Sequence, residues 1–299
     1  MTAASWKYDP DWVSRHYDHY GEKEWDRLVR SAVDEVNLHI HTEVLKQHLR
    51  SGMEVLEVGA GAGRFTQIMA ALNCRITVVD ISERQLALNR QKASELEFAS
   101  AVSGWHRLDM CHMAPIKTEH FDAVVCYGGP ISYVFEKADE ALIECTRVLK
   151  KGGIFFCSVM SLWGSAHRYL TEILAIDPER NKVITDTGDL TPETLPENKH
   201  HCRMYRSSQF RDLLEKNELR IVEMSSANFL SIHWESELVE IRKDTEKWNE
   251  LLRMEREACK QPGCWDSGTH MIAVCRRTRN QGSNKPVQET PAKAADPDL

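Results

Sequence analysis

Two hydrophobic periodicities alternate along the first half of the chain. Short apolar runs at 55–58, 75–80, 103–108, 121–127 and 154–160 have the length and β-branched character of buried strands. Between them, 65–72, 83–97 and 138–149 repeat their apolar residues at helical spacing. Ser82, with Gln85 three residues on, has the spacing of a capping box opening the second of these helices. Lys151-Gly152-Gly153 reads as a helix stop and turn into the fifth strand. Strand and helix in strict alternation imply an α/β fold with a doubly wound, mostly parallel sheet.

The flanks follow other rules. Upstream, an aromatic and charged segment (Trp6, Tyr8, Trp12, His16, Tyr17, Tyr20, Trp25) precedes a helical stripe through Val29, Val33, Val36, Ile40 and Val44. Its spacings of four, three, four and four predict a helical stripe over 22–50, ended by Ser51-Gly52. Downstream of Met160, 163–176 predicts a helix, and 177–197 a polar connection too long for an ordinary loop, hence a candidate lid. A helix over 207–217 capped by Ser208, a sixth strand over 219–224, a charged helical insertion over 235–259 and a last strand over 269–276 complete the reading. The polar segment 278–299 has little to bury and is expected to be a disordered tail. The domain reading is therefore a helical cap over 1–50, a main domain over 51–277 with insertions at about 161–206 and 235–260, and the tail.

Composition narrows the class. A 299-residue chain is long enough for a substantial core, and a formal charge of −7 argues against a general nucleic-acid binder. No apolar run approaches the ~20 residues that span a bilayer, and residues 1–10 lack the apolar core of a signal peptide. Nine cysteines, none in Cys-x-x-Cys and several inside strands, fit reduced thiols in a cytoplasmic protein. A metal site is not expected. His39 and His41 point about 200° apart on their helix. His200-His201-Cys202 lacks a partner pair at zinc spacing, and that of Cys259 and Cys264 is unspecific.

The chemistry centres on Val55-Leu56-Glu57-Val58-Gly59-Ala60-Gly61-Ala62-Gly63-Arg64, a strand running through three glycines into a helix. Glycines accept positive φ and let a ligand approach the backbone, and the helix start offers N–H groups to an anion. A dinucleotide site wants a small residue where Arg64 stands, to let the helix pack against the strand. Glu57 would repel a pyrophosphate, whereas a zwitterion carrying an ammonium or sulfonium tolerates it. Arg64 itself reads as an outward helix residue.

These residues resemble motif I of the class I S-adenosylmethionine-dependent methyltransferases. The likeness continues through Val78-Val79-Asp80, Leu108-Asp109-Met110, 121–126 and Leu149-Lys150-Lys151-Gly152-Gly153, covering about 50–160. It implies a seven-stranded Rossmann-like sheet whose last strand runs antiparallel between the fifth and sixth. It also implies S-adenosyl-L-methionine as cofactor. Asp80, 21 positions after Gly59, would accept from the ribose hydroxyls, with Ile81 on the adenine face. Asp109 would accept from the adenine amine, with Met110 lining the ring. Tyr127 and Gly128 would pass under the sulfonium, and Glu57, Gly59, Ala60, Gly61 and Gly63 would form the methionyl turn. The N-terminal helices would cap the cofactor, with Tyr17, Tyr20 or Arg15 toward the pocket.

Methyl transfer from a sulfonium is an in-line displacement, so alignment in a dry pocket matters more than a dyad. The loops opening on the cofactor edge supply Tyr133, His167, Arg168, Asn228, His233, Asp266 and His270. Tyr133 and His233 are the choices for proton handling or substrate orientation. The fourth strand ends Cys126-Tyr127-Gly128-Gly129-Pro130, without the Asp/Asn-Pro-Pro-aromatic motif typical of base amino methyltransferases. A small organic acceptor (amine, phenol or thiol) is therefore expected, with no nucleic-acid or membrane partner. A protein or RNA methyltransferase and a non-catalytic cofactor-binding regulator are the alternatives. The sequence assigns no oligomeric state.

Overall fold

The computed structural model describes residues 6–196 and 200–278. Three helices come first: α1 (Pro10–Tyr20), α2 (Lys23–Asp26) and α3 (Ala32–His48). Asp9 caps α1 by accepting from the Trp12 amide, and Ser31 caps α3 by accepting from Asp34 N at 3.1 Å. The apolar stripe expected over one helix is thus split by a turn, with Val33, Val36, Ile40 and Val44 buried along α3.

The alternation follows as β1 (Glu54–Val58), α4 (Arg64–Ala71), β2 (Arg75–Asp80), α5 (Glu83–Glu95), β3 (Val102–Arg107), β4 (Phe121–Cys126), α6 (Ala138–Val148) and β5 (Leu149–Met160). The insertion holds α7 (Leu162–Arg168), α8 (Leu170–Leu174), α9 (Pro178–Thr187) and a small hairpin, β6 (Asp189–Leu190) with β7 (Cys202–Arg203). Then come α10 (Ser207–Lys216), β8 (Leu219–Ser226), α11 (Glu235–Ile241), α12 (Thr245–Cys259) and β9 (His270–Arg277).

The main sheet has the order β3-β2-β1-β4-β5-β9-β8, parallel except for β9, which runs antiparallel between β5 and β8. Successive side chains of a strand take opposite faces. In β1, Leu56 and Val58 join one core with Phe155, Leu142 and Phe210, while Val55 joins the other with Val78, Phe156 and Leu45. Burial on both faces explains why these strands read as continuous apolar runs. No helix among the described residues is long and apolar enough to cross a membrane.

The structure departs from the sequence reading at several places. The stretch 177–197 is not a loop throughout: Asp177 accepts from the Glu179 and Arg180 amides, Pro178 takes the first helical position, and Gly188 ends α9 at φ 81°. The helix expected over 163–176 breaks at Tyr169, and that over 235–259 breaks around Lys243. Ser208 lies inside the first turn of α10; Arg206 precedes that turn, its amide donating to Gln209 Oε1 at 3.1 Å. β5 begins at Leu149 rather than after the glycines, with a register shift against β4 at Phe121/Ala123. Ser82 does cap α5, but Gln85 does not close the box. Its side-chain amide donates to Tyr17 O at 2.9 Å and Gly21 O at 3.0 Å, stitching α5 to the end of α1. The expected tail lies outside the described residues from 279 onward.

Candidate functional site

The carboxyl ends of β1, β2 and β4 and the turn after β3 open on one cavity, which residues of all four line together. Its floor is the turn after β1. Gly59 and Gly61 hold φ 67° and 54°, and a Cβ on Gly59 would sit 2.4 Å from Pro130 Cγ. Only glycine lets the β1 and β4 turns approach so closely. Asp80, at the end of β2, fixes this floor: Oδ2 accepts from Gly61 N and Oδ1 from Ser82 N, both at 2.8 Å. Burial outweighs those bonds and pushes its carboxyl up to about 6.

Gly59, Ala60, Gly61, Asp80, Ile81, Met110, Tyr127, Gly128 and Tyr133 line the cavity together, and so does Tyr17 from the cap. Glu57 does not. It is buried beneath the turn, where the Thr66 hydroxyl donates to it at 2.5 Å and burial raises its pKa to about 8. Asn89 joins this network by donating to Thr66 Oγ1 at 3.0 Å and to Gly61 O. Asn89 also fills the space beside Gly63, 2.8 Å from where a Cβ would stand, so Gly63 serves packing under the turn.

Asp109 lies beside the cavity, between Leu108 and Met110, which line it. Its Oδ1 accepts from the Tyr8 hydroxyl at 2.9 Å and from Cys111 N at 2.8 Å. Burial first, then Asp109, raises the Tyr8 phenol far above its ordinary value, keeping it a donor. Here Asp109 holds a cap residue that itself faces the cavity.

The N-terminal helical segment contributes more than the sequence indicated. Arg27 and Glu24 both line the cavity and pair through Nε to Oε1 and Oε2 at 2.9 and 3.0 Å. A Cβ on Gly61 would meet Glu24 Cγ at 3.1 Å, and one on Gly128 would meet Arg27 Nη2 at 2.9 Å. The pair thus spans the two glycine turns, offering a cation to a carboxylate and a carboxylate to an ammonium. Arg64 is not merely outward: it lines the cavity, donates to Trp25 O at 2.7 Å, and stacks on the Trp25 ring at 3.8 Å. Arg15 is exposed, and Tyr20 does not reach the cavity.

Of the two residues chosen for proton handling, only Tyr133 belongs to the site. Its hydroxyl meets His200 Nε2 at 2.5 Å, and its ring meets Tyr17 edge-on at 5.5 Å. Burial holds the Tyr133 phenol above its ordinary range and pushes His200 down to about 4. His233 is exposed, packed edge-on against His167 at 4.4 Å, and does not line the cavity. Arg168 pairs with Glu235, Asp266 accepts from Ser207 N, and Asn228 accepts from Thr269 N. Among the described residues no cluster of His, Cys, Asp or Glu has a metal-holding arrangement.

An acidic residue at one end, a zwitterion-matched ion pair at the other, and glycine turns between them fit an adenosyl-methionine ligand. The fit rests on the donor set and on the glycine cradle.

Comparison with known proteins agrees. A methyltransferase-domain family profile matches residues 56–157. A ubiquinone biosynthesis O-methyltransferase of Xanthomonas oryzae pv. oryzae is 31% identical over 113 residues, covering 37% of this chain and 44% of that relative. The chain therefore spans less than half of that protein's length. Among solved structures, one similar chain belongs to the complex between the Haloferax volcanii Trm112 methyltransferase activator and a methyltransferase. It is 16% identical, with a TM-score of 0.60, over 91% of this chain and 100% of that one. Another is the geranyl diphosphate C-methyltransferase of Streptomyces coelicolor A3(2), solved with S-adenosyl-L-homocysteine. It is 16% identical, with a TM-score of 0.50, over 80% of this chain and 78% of that one. At such identity the structures share the fold.

Proposed function

We propose that this chain, whose residues 56–157 match a methyltransferase-domain family profile, is an S-adenosylmethionine-dependent enzyme that methylates a small organic acceptor, an amine, phenol or thiol, by in-line displacement. The observation that carries this reading is the aromatic lining of the cavity. Tyr8 and Tyr17 of the N-terminal segment and Tyr133 line it beside the β1 and β4 turns. Tyr133 is in turn bonded to His200 of the insertion. That arrangement suits a molecule swallowed whole rather than a residue on a large partner.

The bound cofactor supplies an electrophilic methyl group on sulfur. The chain's own residues do the rest. Asp80 takes the ribose hydroxyls, Glu24 and Arg27 take the amino-acid end, and Ile81 and Met110 flank the adenine. The tyrosines exclude water, which strengthens each polar contact inside.

The test is transfer of labelled methyl from S-adenosylmethionine into a cell extract split by size. Label confined to the small-molecule fraction is the expected result. Label retained in protein or RNA overturns the small-acceptor reading and favours a macromolecular substrate.

A further inference from the structure

The turn from β2 into α5 faces two ways. Asp80 and Ile81 line the cavity. The backbone and side chains beside them hold α1. Ile81 O accepts from the Ser14 hydroxyl at 3.3 Å, and Asp18 Oδ1 accepts from the Ser82 hydroxyl at 2.5 Å and the Arg84 amide at 3.2 Å. Gln85 Nε2 donates to Tyr17 O and Gly21 O at the end of α1. A helix end leaves carbonyls to be satisfied from outside, and here a second helix does so.

The surface of α1 is divided in the same way. Val13 and Tyr17, one turn apart, line the cavity. Ser14 and Asp18, also one turn apart and about 100° further round the helix, grip the turn after β2. Ser82, which caps α5, also donates its amide to Asp80 Oδ1 at 2.8 Å. The proposed ribose acceptor and the anchor of α1 therefore belong to one helix start.

Gln85 stands out within this set. It is fully buried, yet it does not line the cavity. Among the described residues its Oε1 is buried without a hydrogen-bond partner, and the two bonds to α1 are all that its side chain makes. A residue needed only to fill that space would be apolar, because a buried acceptor left unpaired destabilises the fold. Its amide is explained by the carbonyls it holds.

We propose that Gln85 is a positioning residue for the cofactor and acts through Tyr17. By fixing the Tyr17 and Gly21 carbonyls it keeps the Tyr17 ring over the ligand that Asp80 and Ile81 receive. Docking of α1 and binding of the adenosyl group are then one event. Tyr17 meets Tyr133 edge-on at 5.5 Å, which carries the same restraint to the opposite wall. The proposal rests on the S-adenosylmethionine reading and adds to it a residue that does not touch the ligand.

The test is calorimetric titration of the full chain with S-adenosylhomocysteine. No binding by the parent chain overturns the cofactor reading and this proposal with it; every other outcome bears on the proposal alone. Gln85→Met keeps the length and bulk of the side chain and removes both donors. It is expected to weaken binding about tenfold. Gln85→Glu, which turns an acceptor toward the two carbonyls, is expected to weaken it at least as much. In a Tyr17→Ala background, Gln85→Met is expected to lower affinity by less than about twofold more, because the ring it positions is gone. A readout free of substitutions is hydrogen exchange in the parent chain, where the ligand is expected to slow the α1 amides several-fold. Parent-like affinity in Gln85→Met overturns the proposal. So does a full tenfold loss retained in the Tyr17→Ala background, or α1 exchange that the ligand leaves unchanged.

Discussion

The two sides of the cavity are built on different principles. The floor comes from one strand, one glycine turn and one carboxylate that accepts from the turn's own amide. The walls around it are assembled from side chains far apart in the chain. Tyr8 reaches Asp109 across 101 positions, and Tyr133 reaches His200 across 67. A site made of local backbone has its geometry fixed as the sheet forms. A site made of distant side chains exists only once the cap and the insertion have docked.

That contrast predicts effects of graded size. Asp80→Ala removes a turn support and the proposed ribose acceptor. It is expected to weaken S-adenosylmethionine binding at least about 100-fold in a calorimeter, roughly 3 kcal/mol. Asp80→Asn, which keeps one acceptor, should fall between it and the parent. Binding unchanged in both would erase the distinction between the two sides.

A pH series sharpens the same point. The Asp80 carboxyl is raised to about 6 in the folded protein, and the proposed ribose contact needs its ionised form. Cofactor affinity should therefore hold above pH 6 and fall about tenfold per unit below it. The sign for stability is opposite. A carboxyl raised above its unfolded value destabilises the ligand-free fold as pH climbs from about 4 to 6, a trend that Asp80→Asn should flatten in thermal melts.

The smallest effect belongs to the far side. Tyr8→Phe deletes one hydrogen bond to Asp109 and should cost about 1 kcal/mol of stability. Cofactor affinity should fall no more than a few-fold, far less than in Asp80→Ala. A loss as large as that of Asp80→Ala would show that floor and walls are not separable.

Legibility in the sequence follows the same division. The strand–helix alternation, the glycine turn, Asp80 and the antiparallel last strand could be read because each depends on neighbours in sequence or on a family pattern. Arg27 and Glu24 could not. They stand in a polar, aromatic segment with no periodicity to single them out, and they matter because Gly61 and Gly128 lack side chains opposite them. His233 was misplaced for the converse reason: being in the loop after a strand says nothing of which way the loop turns. The helix over Pro178–Thr187 had its signals in place, Asp177-Pro178 at one end and Gly188 at the other. The polar composition between them masked it.

The Arg64–Trp25 contact has a kinetic consequence. A ligand on the Gly59–Gly61 floor lies under Glu24, Arg27 and the segment that Trp25 anchors, and that segment is fastened to the first turn of α4 by a stacked ring and a carbonyl bond. Trp25→Ala is expected to speed release of S-adenosylhomocysteine in a stopped-flow experiment, and an unchanged rate would count against a latch.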